Sequence, residues 1–283
     1  MANEIDAATE AREFIPIIYR PGFLKALYAR AVAKARVLVA DGDVKAMGDK
    51  LNIRIAAVGV VNDVTQTTGA ITNQALTATM SQLLVNKWKD YSFEIVDMAV
   101  KQAEAQLEAS LTDGAPKAFA KQIDIDILAL HGDFTSNPAI DATGGLIVDR
   151  LTDAFYALAI QEIDMDDPNN LSWIFHWKQW PVLKAIAKLS DANLTGEGVG
   201  GLLKFKIPDI LGLPVYFTTG VASASSEHKN MLFHREAMAC GVQENFKMEK
   251  LARVRKSTPY SADMLYGVKS VRTTHGQVIR TAA

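Results

Sequence analysis

Cysteine occurs once in the 283 residues, at Cys240. No disulfide forms within the chain, and a zinc site built on several thiolates is excluded. That usage fits folding in a reducing cytoplasm. No stretch approaches the roughly 20 consecutive apolar residues of a membrane-spanning helix. The opening MANEIDAATEAREF is polar and acidic and has no apolar signal core. The expectation is a protein made in the cytosol, with no membrane partner. Strong charge of one sign is also missing. The net charge is −2 at pH 7, so the whole chain is not built as a nucleic-acid binder. Hydrophobic residues at 49% and charged residues at 22% are ordinary for a chain that buries a core. The length allows one large domain or two modest ones.

Motifs that carry chemistry are equally scarce. TGEGVGGLLK (195–204) matches G-x-G-x-x-G at Gly196, Gly198 and Gly201. A dinucleotide fingerprint needs a strand before it and a helix after it, so that the pyrophosphate rests on the helix N-terminus. Here SDANLT precedes it and Pro208 blocks a following helix, which leaves a glycine-rich turn. HREAMAC (234–240) brings His234 and Cys240 close in sequence, yet six strand residues span about 20 Å, too far for a nucleophile pair. Cys240 reads as a small buried hydrophobe. EIDMDDPNN (162–170) lacks the glycine and closing glutamate of a calcium loop, because Asn169 and Phe175 fall there. The five histidines show no ligand spacing. Asp124 and Asp126 flank Ile125 on a helix and face apart. Neither a catalytic residue nor a metal or cofactor is expected. A soluble enzyme whose site gathers only in the fold, such as His176 with Glu236, is the reading from another class.

What the chain does contain is a long mixed series of helix and strand patterns, α+β with strands in the majority. Residues 1–13 read as a flexible arm, and Pro21-Gly22 opens a helix to about Ala40 that Gly42 stops. LNIRI (51–55) alternates as a strand. Residues 62–79 hold six threonines, no proline and almost no charge. They are too polar for core and too β-prone for a linker. Residues 51–90 therefore read as a two-stranded excursion, with TATMSQLLVNKW returning. From Phe93, Ile95, Val96, Ala99, Val100, Ala103 and Leu107 fit a helix. A second helix over 117–130 is capped by Thr112 or Asp113 and has Pro116 in its first turn. Phe119, Ile123, Ile127 and Leu130 form its buried stripe, with Lys117, Lys121 and Asp124 opposite. A third helix places Ile147, Leu151, Ala154 and Leu158 on one side. LSWIFHW alternates as a strand, and Trp180-Pro181 starts a short helix to about Leu189. LLKFKI, LPVYFTT, MLFHREAMACGV, FKMEKLARVRK, LYGVKSVR and QVIRT read as strands. From Gln243 onward eight Lys/Arg stand against three Asp/Glu, a segment that suits either an anionic contact or a solvated face. Elements that cannot bury themselves in one subunit bury against another, so the chain looks built to touch copies of itself.

The order of these pieces resembles a tailed-bacteriophage major capsid protein with the Hong Kong 97-type fold, over roughly residues 14–283. EFIPIIYRPGFLKALYARAVAKARVLV resembles that family's N-terminal arm and helix, with Tyr19 where a Trp is frequent. GDKLNIRIAAVGVVNDVTQTTGAITNQALTATMSQLLVNKWKDYSFEIVD resembles the extended loop. AFAKQIDIDILALHG resembles the end of the spine helix. LSWIFHWKQWPVLKAI with ILGLPVYFTTGV resembles the axial domain, and NMLFHREAMACGVQ with YGVKSVRTTHGQVI its exit and the closing peripheral segment. The resemblance implies an N-terminal arm and helix (1–48), an extended β-hairpin loop (49–92) and a peripheral domain with a long spine helix (93–162). An axial domain (163–242) and the rest of the peripheral domain (243–283) follow.

It also implies the function: a coat subunit that assembles as hexamers and pentamers into an icosahedral shell around double-stranded DNA, in the virion and, before that, in the host cytoplasm. Its partners would be itself, scaffolding, portal or decoration proteins, and packaged DNA through nonspecific contact. TGEGVGG would then be an axial-domain loop near a symmetry axis. An encapsulin-type nanocompartment shell is the alternative with the same fold. The residues expected at subunit contacts are Thr65, Thr67 and Thr68 in the extended loop, and Asp164, Asp166 and Asp167 in the acidic loop. Arg253 and Arg255 on the basic segment are expected to pair with that loop.

Overall fold

The computed structural model describes residues 32–44, 50–57, 59–64, 73–96, 114–161, 163, 167, 169–186, 209–252 and 256–283. Its strands, in chain order, are β1 (Leu38–Val39), β2 (Lys50–Ile55), β3 (Thr79–Leu84), β4 (Lys87–Val96), β5 (Ile140–Ala142), β6 (Leu171–His176) and β7 (Asp209–Ile210). They continue with β8 (Leu213–Thr218), β9 (Ser223–Ala224), β10 (Glu227–His234), β11 (Met238–Lys250), β12 (Ser257–Ser270) and β13 (Gly276–Ala282). Short helices occupy Asp41–Val44 and Trp180–Ala185, and longer ones Ala115–Leu128 and Val148–Ala159. Among the described residues three sheets result: β1-β11-β12-β4; β5-β13-β10-β6-β8-β7 with β9 beside β10; and the hairpin β2-β3. This is the expected α+β architecture.

The helix Ala115–Leu128 follows its apolar period. Pro116 sits in the first turn behind Gly114 at the N-cap, while Thr112 and Asp113 lie outside the described residues. Phe119, Ile123 and Ile127 are buried in a core with Val242, Ala262, Met264 and Tyr266 from β11 and β12. Asp124 departs from expectation: it is buried rather than on the solvent face. Its carboxylate accepts the backbone N–H groups of Val32 (2.5 Å) and Lys34 (3.1 Å), so it ties the chain entering β1 to the helix. Asp126 points elsewhere, to the Tyr266 hydroxyl at 2.6 Å and Lys87 at 3.3 Å.

The seven-stranded sheet is a wall between two cores. Ile174, Met231, Phe233 and Val278 face the first core, with the 115–128 helix. Trp173, Phe175, Leu232 and Ile279 face the second, under the 148–159 helix. LSWIFHW therefore does not alternate in burial; Leu171 to Phe175 are all buried, because both faces of this strand are covered. Leu151, Ala154 and Leu158 enter the second core as expected, but Ile147 is the exposed N-cap of that helix.

Four other expectations change. The described part of the predicted helix to Ala40 holds a 3-10 turn (Lys34–Arg36) and then β1. Leu38 and Val39 pair in parallel with Ala239 and Cys240, and a free strand edge outcompetes one more helical turn. Gly42 stops nothing, since it lies inside the Asp41–Val44 helix. The two-stranded excursion ends at Leu84. Trp88 to Val96 pair with β12, so Ile95 and Val96 are strand rather than helix residues. MLFHREAMACGV divides at the 3-10 turn Arg235–Ala237. Met231–His234 pair with β6 and β13, whereas Met238 onward pairs with β12.

Candidate assembly surface

The side chains with chemical potential are dispersed, and most are spent on structure. Cys240 is fully buried, and desolvation pushes its thiol up to about 11, as suits an inert core residue. His176 stacks on His228 with ring centroids 3.8 Å apart, and Ser223 Oγ lies 2.6 Å from His228 Nδ1. Burial, then the neighbouring imidazole and Lys178, depress His176; burial and then Lys178 depress His228. Among the described residues no carboxylate bonds His228 to orient it as a nucleophile–base pair requires. Glu236 pairs instead with Arg272 at 3.4 Å. His234 opposes Leu171 at one end of β6 and His176 closes the other end, roughly 16 Å away at about 3.3 Å per residue. The fold thus separates His176 from Glu236. Among the described residues no group of three or more His, Cys, Asp or Glu side chains converges to hold a metal ion.

Two open cavities, each of about 360 Å³, flank the seven-stranded sheet. One is lined by Ala142, Lys178, Gln179, Val182 and Ala283, the other by Phe134, Asn137, Lys229 and Arg280. Lys229 pairs with Glu227, and Arg280 lies 3.7 Å from Asp141. Hydrogen bonds from Thr143 hold the Asp141 carboxyl below its usual range.

Of the expected contact residues, Thr65, Thr67, Thr68, Asp164, Asp166, Arg253 and Arg255 lie outside the described residues, as does the TGEGVGG loop. Asp167 is exposed at the turn before β6; its Oδ1 accepts the Asn169 N–H at 2.9 Å and its carbonyl the Asn170 N–H at 3.1 Å. On β11, Lys247 is exposed and pairs with Glu249 at 2.7 Å, while Phe246 and Met248 pack on the first core. The alternation expected of that strand therefore holds over 246–249.

The surface that no sequence motif marks is apolar. β2 and β3 pair antiparallel from Lys50↔Leu84 to Ile55↔Thr79. Beyond them the Gln74 amide bridges Val60, accepting from its N–H at 2.9 Å and donating to its carbonyl at 2.5 Å. Along this projection Val60, Val61 (96% exposed), Val64, Leu76, Met80 and Leu84 stand in solvent, and Trp88 at its root is 73% exposed. The Trp88 indole N–H donates to Asp263 Oδ2 at 3.0 Å. The sequence alone does not mark these valines as exposed, because exposure depends on what packs nearby. So much apolar surface on one projection marks an interaction site.

No protein-family model matches this chain, and no curated protein does. Solved structures do. The chain is similar to a structure from Mycobacterium phage Che8, at a TM-score of 0.74 and 20% identity, covering 94% of this chain and 97% of that one. A capsid structure of the cyanophage P-SCSP1u gives a TM-score of 0.76 at 11% identity, over 97% and 95% of the two chains. The capsid of a native GTA particle gives 0.74 at 12%, over the whole of both. The described residues and these matches together establish that the chain shares the fold of capsid chains of a phage and of a GTA particle.

Proposed function

We propose that this chain is a major capsid protein, the coat subunit that assembles into the icosahedral shell of a tailed double-stranded DNA phage. The observation that carries the reading is the β2-β3 projection with its exposed valines, leucines and Trp88, on a chain whose whole length matches capsid subunits. Laid over a neighbouring subunit, such a projection buries apolar area at about 25 cal/mol per Å². Many such weak contacts add up through closed symmetry. The role is structural, and the capsids among the similar structures favour a phage shell over an encapsulin-type compartment.

The finer parts of the reading follow. Subunits cluster as hexamers and pentamers, with 49–92 reaching over a neighbour and TGEGVGG near the axis. Thr65, Thr67 and Thr68 contact the adjacent subunit. Arg253 and Arg255 pair with Asp164, Asp166 and Asp167 across a subunit boundary. Scaffolding, portal or decoration proteins join during assembly in the host cytoplasm, and DNA is held by nonspecific contact. The test is recombinant expression of the full chain, followed by sedimentation and negative-stain microscopy. Shells, rings or capsomer-sized particles are expected; a compact monomer at every concentration and salt condition overturns the reading.

A further inference from the structure

The hairpin's root rests on an unusual piece of sheet. Gly241 of β11 and Gly267 of β12 are direct cross-strand partners, so at that one rung the sheet presents bare backbone. The chain leaving the hairpin, Leu83 to Val85, lies against it. A Cβ at Gly267 would fall far inside contact distance of the Leu84 carbonyl oxygen, 2.9 Å from Leu84 C and 3.2 Å from Val85 Cα. Those are backbone atoms, which move only if the whole root moves. A Cβ at Gly241 would meet side chains instead, Val44 Cγ2 at 2.8 Å and Leu83 Cδ2 at 3.1 Å. The third wall is the Asp41–Val44 helix. Asp41 Oδ1 accepts the Val242 N–H at 2.8 Å, beside the register shift between Val242 and Glu244. The Ala40 N–H bonds the Cys240 carbonyl at 2.9 Å, and Lys34 pairs with Asp41 at 2.9 Å. Ala40, Val44, Leu83 and Val85 form a small buried cluster of their own, with Leu51 and Ile53 of β2 packed on it.

We infer that the Gly241–Gly267 rung and the Asp41–Val44 helix form a seat that positions the β2-β3 projection on the body of the subunit. Leu83 is the key that fits it. The seat sets the direction in which the exposed apolar side chains are presented, and so decides whether they meet the neighbouring subunit. The assembly half of the inference rests on the capsid reading above; the seat itself does not.

The test compares Gly267→Ala, Gly241→Ala and the double variant Val44→Ala/Gly241→Ala, each as the full chain. Amide hydrogen exchange is followed over 79–85, with the 115–128 helix as an internal standard, and shell yield is scored in parallel. In Gly267→Ala, exchange over 79–85 should rise about tenfold while the helix keeps its protection, because only the local opening equilibrium changes. Shell yield should fall with it. Gly241→Ala should show a smaller change in the same direction. Val44→Ala should restore it, since the clash is with the valine's own methyl. Wild-type exchange in Gly267→Ala overturns the seat. If Gly267→Ala does not fold, the Gly241 pair decides, and failure of Val44→Ala to rescue overturns the seat. Normal shells from a variant whose root exchanges fast would overturn the link to assembly alone. Absence of shells from the wild-type chain would instead defeat the capsid reading, with the exchange comparison still deciding the seat.

Discussion

Phe119 closes the first core at the residue scale. It is buried, stacks on Phe246 with centroids 6.1 Å apart and meets Tyr91 edge-on at 6.5 Å. Truncating a buried Phe costs about 3–5 kcal/mol, against a net stability of about 5–15 kcal/mol for a typical domain. Phe119→Ala should therefore give insoluble or unassembled protein; soluble yield and shell yield at wild-type levels would contradict its place in the core. The histidines make a second prediction. His275 is lowered to about 4 by burial first, then by Arg272 and His234, with Glu236 opposing. His176 and His228 are lowered as well. Below the ordinary histidine pKa of about 6.5 the unfolded chain takes up protons that the folded chain refuses, so stability falls as pH falls. For His275 the loss runs from about pH 6.5 down to about 4 and is absent above pH 7. Thermal midpoints measured from pH 7.5 to 5 should decline, and His275→Gln should decline less steeply than wild type. Parallel slopes would show that His275 does not contribute.

At the scale of the element, the hairpin and the 115–128 helix are opposites. The helix is held by its own stripe and by Asp124, which burial raises while its backbone N–H partners pull the other way. Among the described residues the hairpin's hold on the body lies toward its root, where Leu83 and Val85 are buried and Leu51 and Ile53 pack on them. Removing its far part costs the body little, because Val60, Val61, Val64 and Leu76 contribute no core. Deletion of 64–76 should leave a soluble subunit with an unchanged thermal midpoint that fails to close shells. Normal shells from that variant would mean that the projection is dispensable.

For the whole molecule, the near-neutral net charge and the basic run after Gln243 point to paired surfaces rather than one charged field. Lys247 is already satisfied by Glu249, whose hydrogen bond raises it. Arg253 and Arg255 are the charges proposed to pair across subunits. An exposed pair contributes under about 1 kcal/mol, but a shell repeats it at every subunit. Arg253→Glu with Arg255→Glu should lower shell yield more than soluble yield. Wild-type assembly should weaken with salt as the screening length drops from about 10 Å at 0.1 M to about 3 Å at 1 M. Shells from the double variant that form normally at low and high salt would leave a solvated face as the better account.

Local pattern was enough for several parts of this protein. The period of Phe119, Ile123 and Ile127 specifies a helix and its buried side, because 3.6 residues per turn is a property of the backbone alone. The alternation in LNIRI and FKMEK specifies strands in the same way. The single Cys240 by itself excludes a disulfide within the chain. The order of segments carried the resemblance that the end-to-end structural similarity now supports as fold. Other features were decided only by what the chain packs against. LSWIFHW is buried on both faces because it lies between two cores. Met231–Val242 divides between two sheets because the 3-10 turn at Arg235 carries the chain from one to the other. Leu38-Val39 is a strand because β11 offers an edge. Asp124 is buried because two distant backbone N–H groups reach it. The seat at Gly241 and Gly267 is the extreme case: the two glycines stand 26 residues apart in sequence, and nothing local distinguishes them until β11 and β12 pair and Leu84 settles on the bare rung. Contacts between residues far apart in the chain leave no period behind, so only the tertiary structure could decide them.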